Sequence, residues 1–382
     1  MFLLLAGLLA VLHLYLWKRL IRDTLPRGRT RTVATAVLVL LVLVMVAALA
    51  LGTTLDPAVA QWVAWPGYLW LAIFFYLLLA LLVLEPPRLA LRRWAGREPD
   101  PPARTGVSRR VALARGSAAV AGVAAVGLVG YGVTVAMGPP SITRVPITLR
   151  RLDPRASGCR IALISDIHLG PIIGRRFTQR IVDLVNAERP DAVAIVGDLV
   201  DGDVPALADA AAPLADLSST HGTFFVTGNH EYYVGYRQWV EHVRTLGITA
   251  LRNQRVTITH NGGRFELAGV NDATAYQWQD AADVAAAMRG RDPERAAVLL
   301  AHQPVDVADA VAQDVDLQLS GHTHGGQLTP FELLVSQQQG VVAGHYRFGD
   351  TQLYVTRGAG FWGPPVRVGA PPDITIVELR SP

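Results

Sequence analysis

Five places in the second half of the chain gather carboxylate, imidazole and amide side chains into short polar clusters. They are Asp166 and His168 after Ser165; Asp198 and Asp201 after Gly197; Asn229, His230 and Glu231 after Gly228; His302; and His322 and His324 in the stretch Gly-His-Thr-His-Gly-Gly-Gln that ends at Gln327. None of these clusters contains a thiol. Oxygen and nitrogen donors of this kind select divalent ions such as Mn, Fe, Zn or Co. The set is large enough for two ions, and two ions about 3.5–4 Å apart can clamp the attacking and leaving oxygens of an in-line phosphoryl displacement. Such a pair needs a bridging carboxylate, and Asp198 is the candidate. The H-x-H pair alone is weak evidence. It follows the apolar run Val315, Leu317, Leu319 and reads as an extended segment entering a tight loop, where residues i and i+2 share a side and could converge on one centre.

The elements that must position these clusters read as short strands that open into polar loops. Strands are expected over 160–165, 191–196, 222–227, 255–260, 264–269, 296–301, 315–319, 341–347, 352–357 and 373–379, and helices over 177–188, 204–217, 236–246, 280–289 and 304–313. Strand ends that open into loops are where an α/β sheet places ligands and catalysts. Strands outnumber helices late in the chain, which suits a two-sheet sandwich with outer helices better than one doubly wound sheet. Residues 139–157 read as a linker with a possible edge strand, and the domain occupies 158–382.

The first 138 residues have a different texture. Hydrophobic residues make up 51% of the 382-residue chain, and they concentrate in four apolar stretches, 2–17, 33–52, 67–84 and 117–137. Spanning a bilayer as helix takes roughly 20 apolar residues, about 17 at least. The second and third qualify outright, and the first is short but has neither the basic start nor the small-residue cleavage site of a removable signal peptide. The fourth is only mildly apolar and follows Arg109-Arg110, an arrangement resembling a twin-arginine export signal; the same pair would also serve as an ordinary basic flank. Residues 18–32 carry six Lys/Arg against one acid and 85–117 carry eight Arg against three acids, about +10 together, so with a net charge of +4 the rest is about −6. That balance argues against a basic nucleic-acid face on the main domain. Placing both basic segments in the cytoplasm, and the Lys/Arg-free loop 53–66 outside, puts everything after 138 on the extracytoplasmic face of a bacterial cytoplasmic membrane. The single cysteine, Cys159, rules out an internal disulfide framework and a cysteine-rich zinc site.

The blocks Asp166-x-His168, Gly197-Asp198-x-x-Asp201, Gly228-Asn229-His230-Glu231, His302 and Gly321-His322-x-His324 resemble, in order, the five signature blocks of the calcineurin-like metallophosphoesterases. Arg357-Gly-Ala-Gly, Pro365-x-Arg367 and Pro372-Asp373-Ile374 resemble more particularly the membrane-associated, YkuE/YaeI-like branch. This resemblance implies a four-layer α/β sandwich of two mixed sheets flanked by helices, preceded here by a helical membrane region. It also implies two divalent metal ions, one held by Asp166, His168, Asp198 and His324, the other by Asp198, Asn229, His302 and His322. The nucleophile would be a water or hydroxide on the metals, and His230 would stabilise the transition state and protonate the leaving oxygen. Asp201 would orient neighbouring groups, and Gly325 and Gly326 would let the backbone approach the substrate phosphate. His13, His221, His242, His260 and His345 match no block and read as solvated or packed.

The function expected is therefore that of a membrane-anchored phosphoesterase acting on phosphomonoesters, phosphodiesters or a lipid pyrophosphate; Phe361-Trp362-Gly363-Pro364-Pro365 reads either as an apolar lip for it or, more strongly, as a rigid loop packed on the core. Its partners would be the membrane, a phosphate-ester substrate and the twin-arginine translocation machinery, with no nucleic acid. The alternative is a signalling or scaffold protein whose phosphoesterase fold has lost catalysis, which predicts a missing ligand, and none is missing. A transporter is disfavoured because the apolar stretches contain almost no ionisable residues.

Overall fold

The computed structural model describes residues 2–95 and 107–382; residues 96–106, part of the second basic segment, lie outside the described residues. The chain divides into two compact units, 1–52 with 62–133, and 53–61 with 134–382.

Among the described residues, the amino-terminal part is built from helices joined by short turns. Helix α1 covers Phe2–Leu16 and passes into a π-helical turn at Trp17–Arg22; α2 covers Arg29–Leu51, α3 Pro57–Ala95 and α4 Arg109–Met137. Among the described residues three helices, α2, α3 and α4, are long and apolar enough to cross a membrane. Large side chains such as Val37, Leu40, Leu43, Leu82 and Val123 face outward, while Ala48, Ala64, Ala72 and Ala121 are buried. That is the reverse of a water-soluble bundle and matches helices that pack through small residues in lipid. A side chain at Gly67 would meet the Ala48 Cβ at 2.4 Å, so α2 and α3 approach too closely there for anything but glycine. The helices outrun the apolar stretches that mark them. Most of the expected outer loop is helical from Pro57, because proline suits a first helical turn, where its missing N–H has no partner to lose.

The carboxy-terminal unit is built on twelve strands: β1 Ser141–Thr148, β2 Arg160–Ile164, β3 Ala192–Val196, β4 Thr223–Val226, β5 Thr249–Ala250, β6 Gln254–His260, β7 Gly263–Gly269, β8 Ala297–Leu300, β9 Leu317–Ser320, β10 Gly344–Phe348, β11 Thr351–Val355 and β12 Asp373–Arg380. They form two six-stranded sheets, ordered β1-β12-β2-β3-β4-β5 and β10-β11-β9-β8-β7-β6. In the first sheet β2 to β5 run parallel and β12 is antiparallel to β2. In the second, β7, β8, β9 and β11 are parallel, with β6 and β10 joined as antiparallel hairpin partners. Strand β1, within the stretch read as linker, pairs in parallel with β12 over eight residues.

Alternation along each strand builds the layers. Ile161 and Leu163 of β2 face Leu267, Val298 and Leu319 of the other sheet, while Ala162 and Ile164 face the helix that covers Arg175–Glu188, through Phe177, Ile181 and Val185. On the far side of the second sheet Val284, Met288 and Ala310 close the last layer. The result is the four-layer helix–sheet–sheet–helix sandwich expected from the strand pattern, with parallel strands whose carboxyl ends all open toward one edge.

Helix α5, Tyr236–Thr245, carries the fully buried Trp239, whose Nε1 donates to the Gly202 carbonyl at 2.8 Å. This indole ties the outer helix layer to the loop that carries Asp198 and Asp201. Trp239→Ala should cost about 3–5 kcal/mol through the cavity it leaves, and Trp239→Phe about 1–3 kcal/mol through the unsatisfied carbonyl; thermal unfolding in detergent measures both.

Candidate metal centre

The five polar clusters sit at the carboxyl ends of β2, β3, β4, β8 and β9, and the structure brings all of them together. The centre of the assembly is the Asp198 carboxylate, which is buried. Its Oδ2 lies 3.2 Å from His302 Nε2, 3.8 Å from His168 Nε2 and 3.9 Å from His230 Nε2. On one side Asp166, His168 and His324 converge, with His324 Nε2 3.0 Å from His168 Nε2 and 3.4 Å from Asp166 Oδ1. On the other, His322 Nδ1 lies 3.2 Å from His302 Nε2, beside Asp198. Asn229 opens a short helix, Asn229–Val234, that the sequence pattern did not reveal. Its Oδ1 is buried and accepts no hydrogen bond among the described residues.

The local backbone explains how so many polar groups point at one place. Asp166, His168, Asp198, His322 and His324 all have positive φ, between 50° and 69°, a region that costs energy for residues with a side chain and persists where surrounding structure enforces it. The H-x-H pair is thus not extended: β9 ends at Ser320, and each histidine lies in a left-handed turn of the following loop. Reversing the backbone at both positions sends His322 toward His302 and His324 toward His168, not both to one point. Gly321 is enforced by crowding, since a side chain there would come within 2.0 Å of Ser165 Oγ and 2.4 Å of Asp166 Oδ2. Gly326 is bare for a different reason from that expected: a side chain would meet Glu332 at 2.5 Å, so its role is packing.

Two carboxylates hold the loops. Asp201 Oδ1 accepts from Nδ1 of both His168, at 2.9 Å, and His230, at 2.6 Å. That fixes the tautomer of each ring and frees each Nε2 for chemistry. Glu231, fully buried, accepts from the backbone amides of Asp198, Leu199, Val200 and Gly228 at 2.6–3.3 Å, binding the second and third clusters into one body. Arg367 had no role assigned from sequence beyond its place in Pro365-x-Arg367. It is fully buried and donates to the carbonyls of Gly360, His324, Ala370 and Arg357, with Nη2 3.1 Å from His324 Nδ1. Phe361 is buried in the core, whereas Trp362 is 55% exposed with its ring 6.0 Å from that of His230. Half of the expected lip is therefore core.

Charge is distributed unevenly across the imidazoles. Burial opposes a positive ring at His230, but Asp198 and Asp201 outweigh it and lift its pKa to about 9. Burial likewise opposes His302, and Asp198 again prevails, raising it well above the ordinary value. His322 is held down to about 4 by burial and by His302. The chain without metal thus keeps protons on His302 and His230, beside Asp198, while His322 is a neutral donor.

Residues 159–326 match the calcineurin-like phosphoesterase family. A zebrafish transmembrane protein with a metallophosphoesterase domain is 34% identical over 391 residues, covering 98% of this chain and 88% of that protein. An uncharacterized metallophosphoesterase of Helicobacter pylori is 42% identical, covering 63% of this chain and 64% of its own length. The uncharacterized metallophosphoesterase YkuE of Bacillus subtilis is 30% identical over 66% of this chain and 90% of its own. The chain belongs to the calcineurin-like metallophosphoesterases, hydrolases of phosphoric ester bonds that use divalent metal.

The raised imidazoles give a pH signature. Stability from a protonated His230 is complete below the ordinary value of 6.5 and is lost as pH climbs through about 9. Chelator-treated protein should therefore melt at progressively lower temperature across that window, and His230→Ala should flatten the decline.

Proposed function

We propose that this cluster binds two divalent metal ions bridged by Asp198, and that the protein hydrolyses phosphate esters outside a bacterial cytoplasmic membrane. The observation that carries the reading is the ring of three imidazole Nε2 atoms within 3.2–3.9 Å of one buried Asp198 oxygen. Asp166, His168, Asp198 and His324 would hold one ion, and Asp198, Asn229, His302 and His322 the other. The residues fit such ions: the donors are all oxygen and nitrogen, and the orphaned Asn229 Oδ1 is the kind of buried acceptor that otherwise costs about 1–3 kcal/mol. Bound ions of the Mn, Fe, Zn or Co class supply positive charge to the transferring phosphoryl group and activate water.

The chain's own contribution centres on His230. Asp201 holds its Nδ1–H, the backbone N–H of His230 is anchored on Asp198 Oδ1 at 2.9 Å, and Nε2 is left to carry a proton to the departing oxygen. Asp201 also orients His168, and Arg367 braces the backbone beneath His324. Tyr233, 60% exposed with its ring 5.5 Å from that of His230, and Trp362 flank the same side chain. These two exposed rings favour a substrate with an apolar group next to the phosphate, and a lipid or cell-envelope phosphate fits that description.

The membrane arrangement follows from charge. With residues 18–32 and 85–117 in the cytoplasm, α2, α3 and α4 cross in alternation and the domain emerges outside; α1 would add a further span. Arg109-Arg110, which open α4, would be read by the twin-arginine translocase as well as serving as a positive flank.

Two experiments bear on this reading. With added Mn, the full-length protein should hydrolyse a chromogenic phosphate ester. His230→Ala should lower kcat by about 10²–10⁴-fold with metal content retained, whereas Asp198→Asn should lose metal as judged by elemental analysis. Undiminished hydrolysis in both variants would refute the assignment. Secondly, Trp362→Ala with Tyr233→Ala should reduce hydrolysis of a lipid phosphate more than that of a soluble ester. Equal losses would remove the lipid substrate from the proposal.

A further inference from the structure

One other group of metal-ligating side chains comes together in the carboxy-terminal unit. Cys159 immediately precedes β2, Asp191 precedes β3, His221 lies just before β4 and His260 closes β6. These are the ends of the parallel strands opposite the candidate centre, on the order of 15 Å away along β2. Cys159 is fully buried, and His221 and His260 are half-buried. The cysteine sulfur and one nitrogen from each histidine lie within 4.8 Å of one another. His221 Nε2 is 3.2 Å from His260 Nδ1, with the rings inclined at 78°, and Asp191 Oδ1 is 4.0 Å from the same His260 nitrogen.

The nitrogen pair matches a tetrahedral ion, and the sulfur and carboxylate lie near the remaining positions. Bonds of about 2.3 Å to sulfur and 2.0–2.1 Å to nitrogen put neighbouring donors about 3.3–3.7 Å apart. The nitrogen pair already has that separation, and the sulfur is within about 1 Å of its place. Imidazoles carried by two different sheets meet at hydrogen-bond distance within 4.8 Å of the buried thiol. Charge balance also fits: a thiolate and the Asp191 carboxylate together neutralise a divalent cation. Without an ion, burial pushes the thiol up to about 12, and Asp191 adds to the effect. A coordinated cation displaces that proton to solvent.

We propose that Cys159, His221 and His260, with Asp191 as fourth donor, form a second, structural metal site of the zinc type. A soft thiolate combined with imidazoles selects zinc over the harder ions suited to oxygen donors. The ion would cross-link the starts of β2, β3 and β4 in the first sheet to the β6–β7 hairpin of the second, at the edge where no catalytic loop holds the sheets together.

Cobalt substitution tests the site independently of hydrolysis. Full-length protein stripped with chelator and saturated with Co²⁺ should develop a thiolate-to-cobalt charge-transfer band in the near ultraviolet. The candidate catalytic centre has no sulfur donor and cannot produce it. The band should survive His322→Ala, disappear in Cys159→Ser, and weaken or shift in His221→Ala, which leaves the buried thiol in place. A saturated wild-type protein without the band, or a band that persists in Cys159→Ser, would overturn the site. Because no turnover is measured, failure of the phosphoesterase reading would leave this result standing, and the converse also holds.

Discussion

A carboxylate shut away from water must be compensated where it stands, and Asp198 imposes that requirement on everything around it. Burial alone would favour its neutral form, but His302 and His230 hold its pKa well below the usual carboxylate range. Removing one partner from such a buried charge set is far more costly than the net value of the set suggests. The architecture can be read as the means of delivering those partners. Parallel strands from two sheets end at one edge, and each contributes a loop from which an imidazole or carboxylate reaches the same few ångströms of space.

Delivery requires turns that the backbone resists. Five of the converging residues take the left-handed conformation, and the cost is carried by neighbours that leave them no alternative. Glu231 collects four amides from two loops, Arg367 collects carbonyls from three stretches of chain, and Trp239 pins the Gly202 carbonyl. All three are fully buried. Their effect is that the geometry around Asp198 is set by the core and not by the loops that display it.

Much of this was legible in the sequence, and the parts that were not share a cause. The polar clusters stood out because apolar strands have no packing reason to end in Asp-x-His or Gly-Asn-His-Glu. The two-sheet sandwich followed from the excess of strand-like runs over helices late in the chain. Strand periodicity alone pointed His322 and His324 at one centre, because it cannot foresee where an extended segment stops, and here it stops at Ser320; the family resemblance separated them. The same blindness to tertiary surroundings hid the bracing role of Arg367 and the packing of Gly326 on Glu332. Helix α3 ran past its apolar stretch because a helix needs only compatible backbone, whereas a hydropathy window needs lipid-facing residues.

The short passage from α4 to β1 bears on whether the domain could ever be shed. Helix α4 ends at Met137 and β1 begins at Ser141, so only Gly138, Pro139 and Pro140 lie between them. A protease would find few cleavable bonds in that stretch. A cut any further along would strip away the strand that pairs with all eight residues of β12 and leave that long strand as a bare edge, a template for pairing with another chain. A form released by such a cut would carry that bare edge with it.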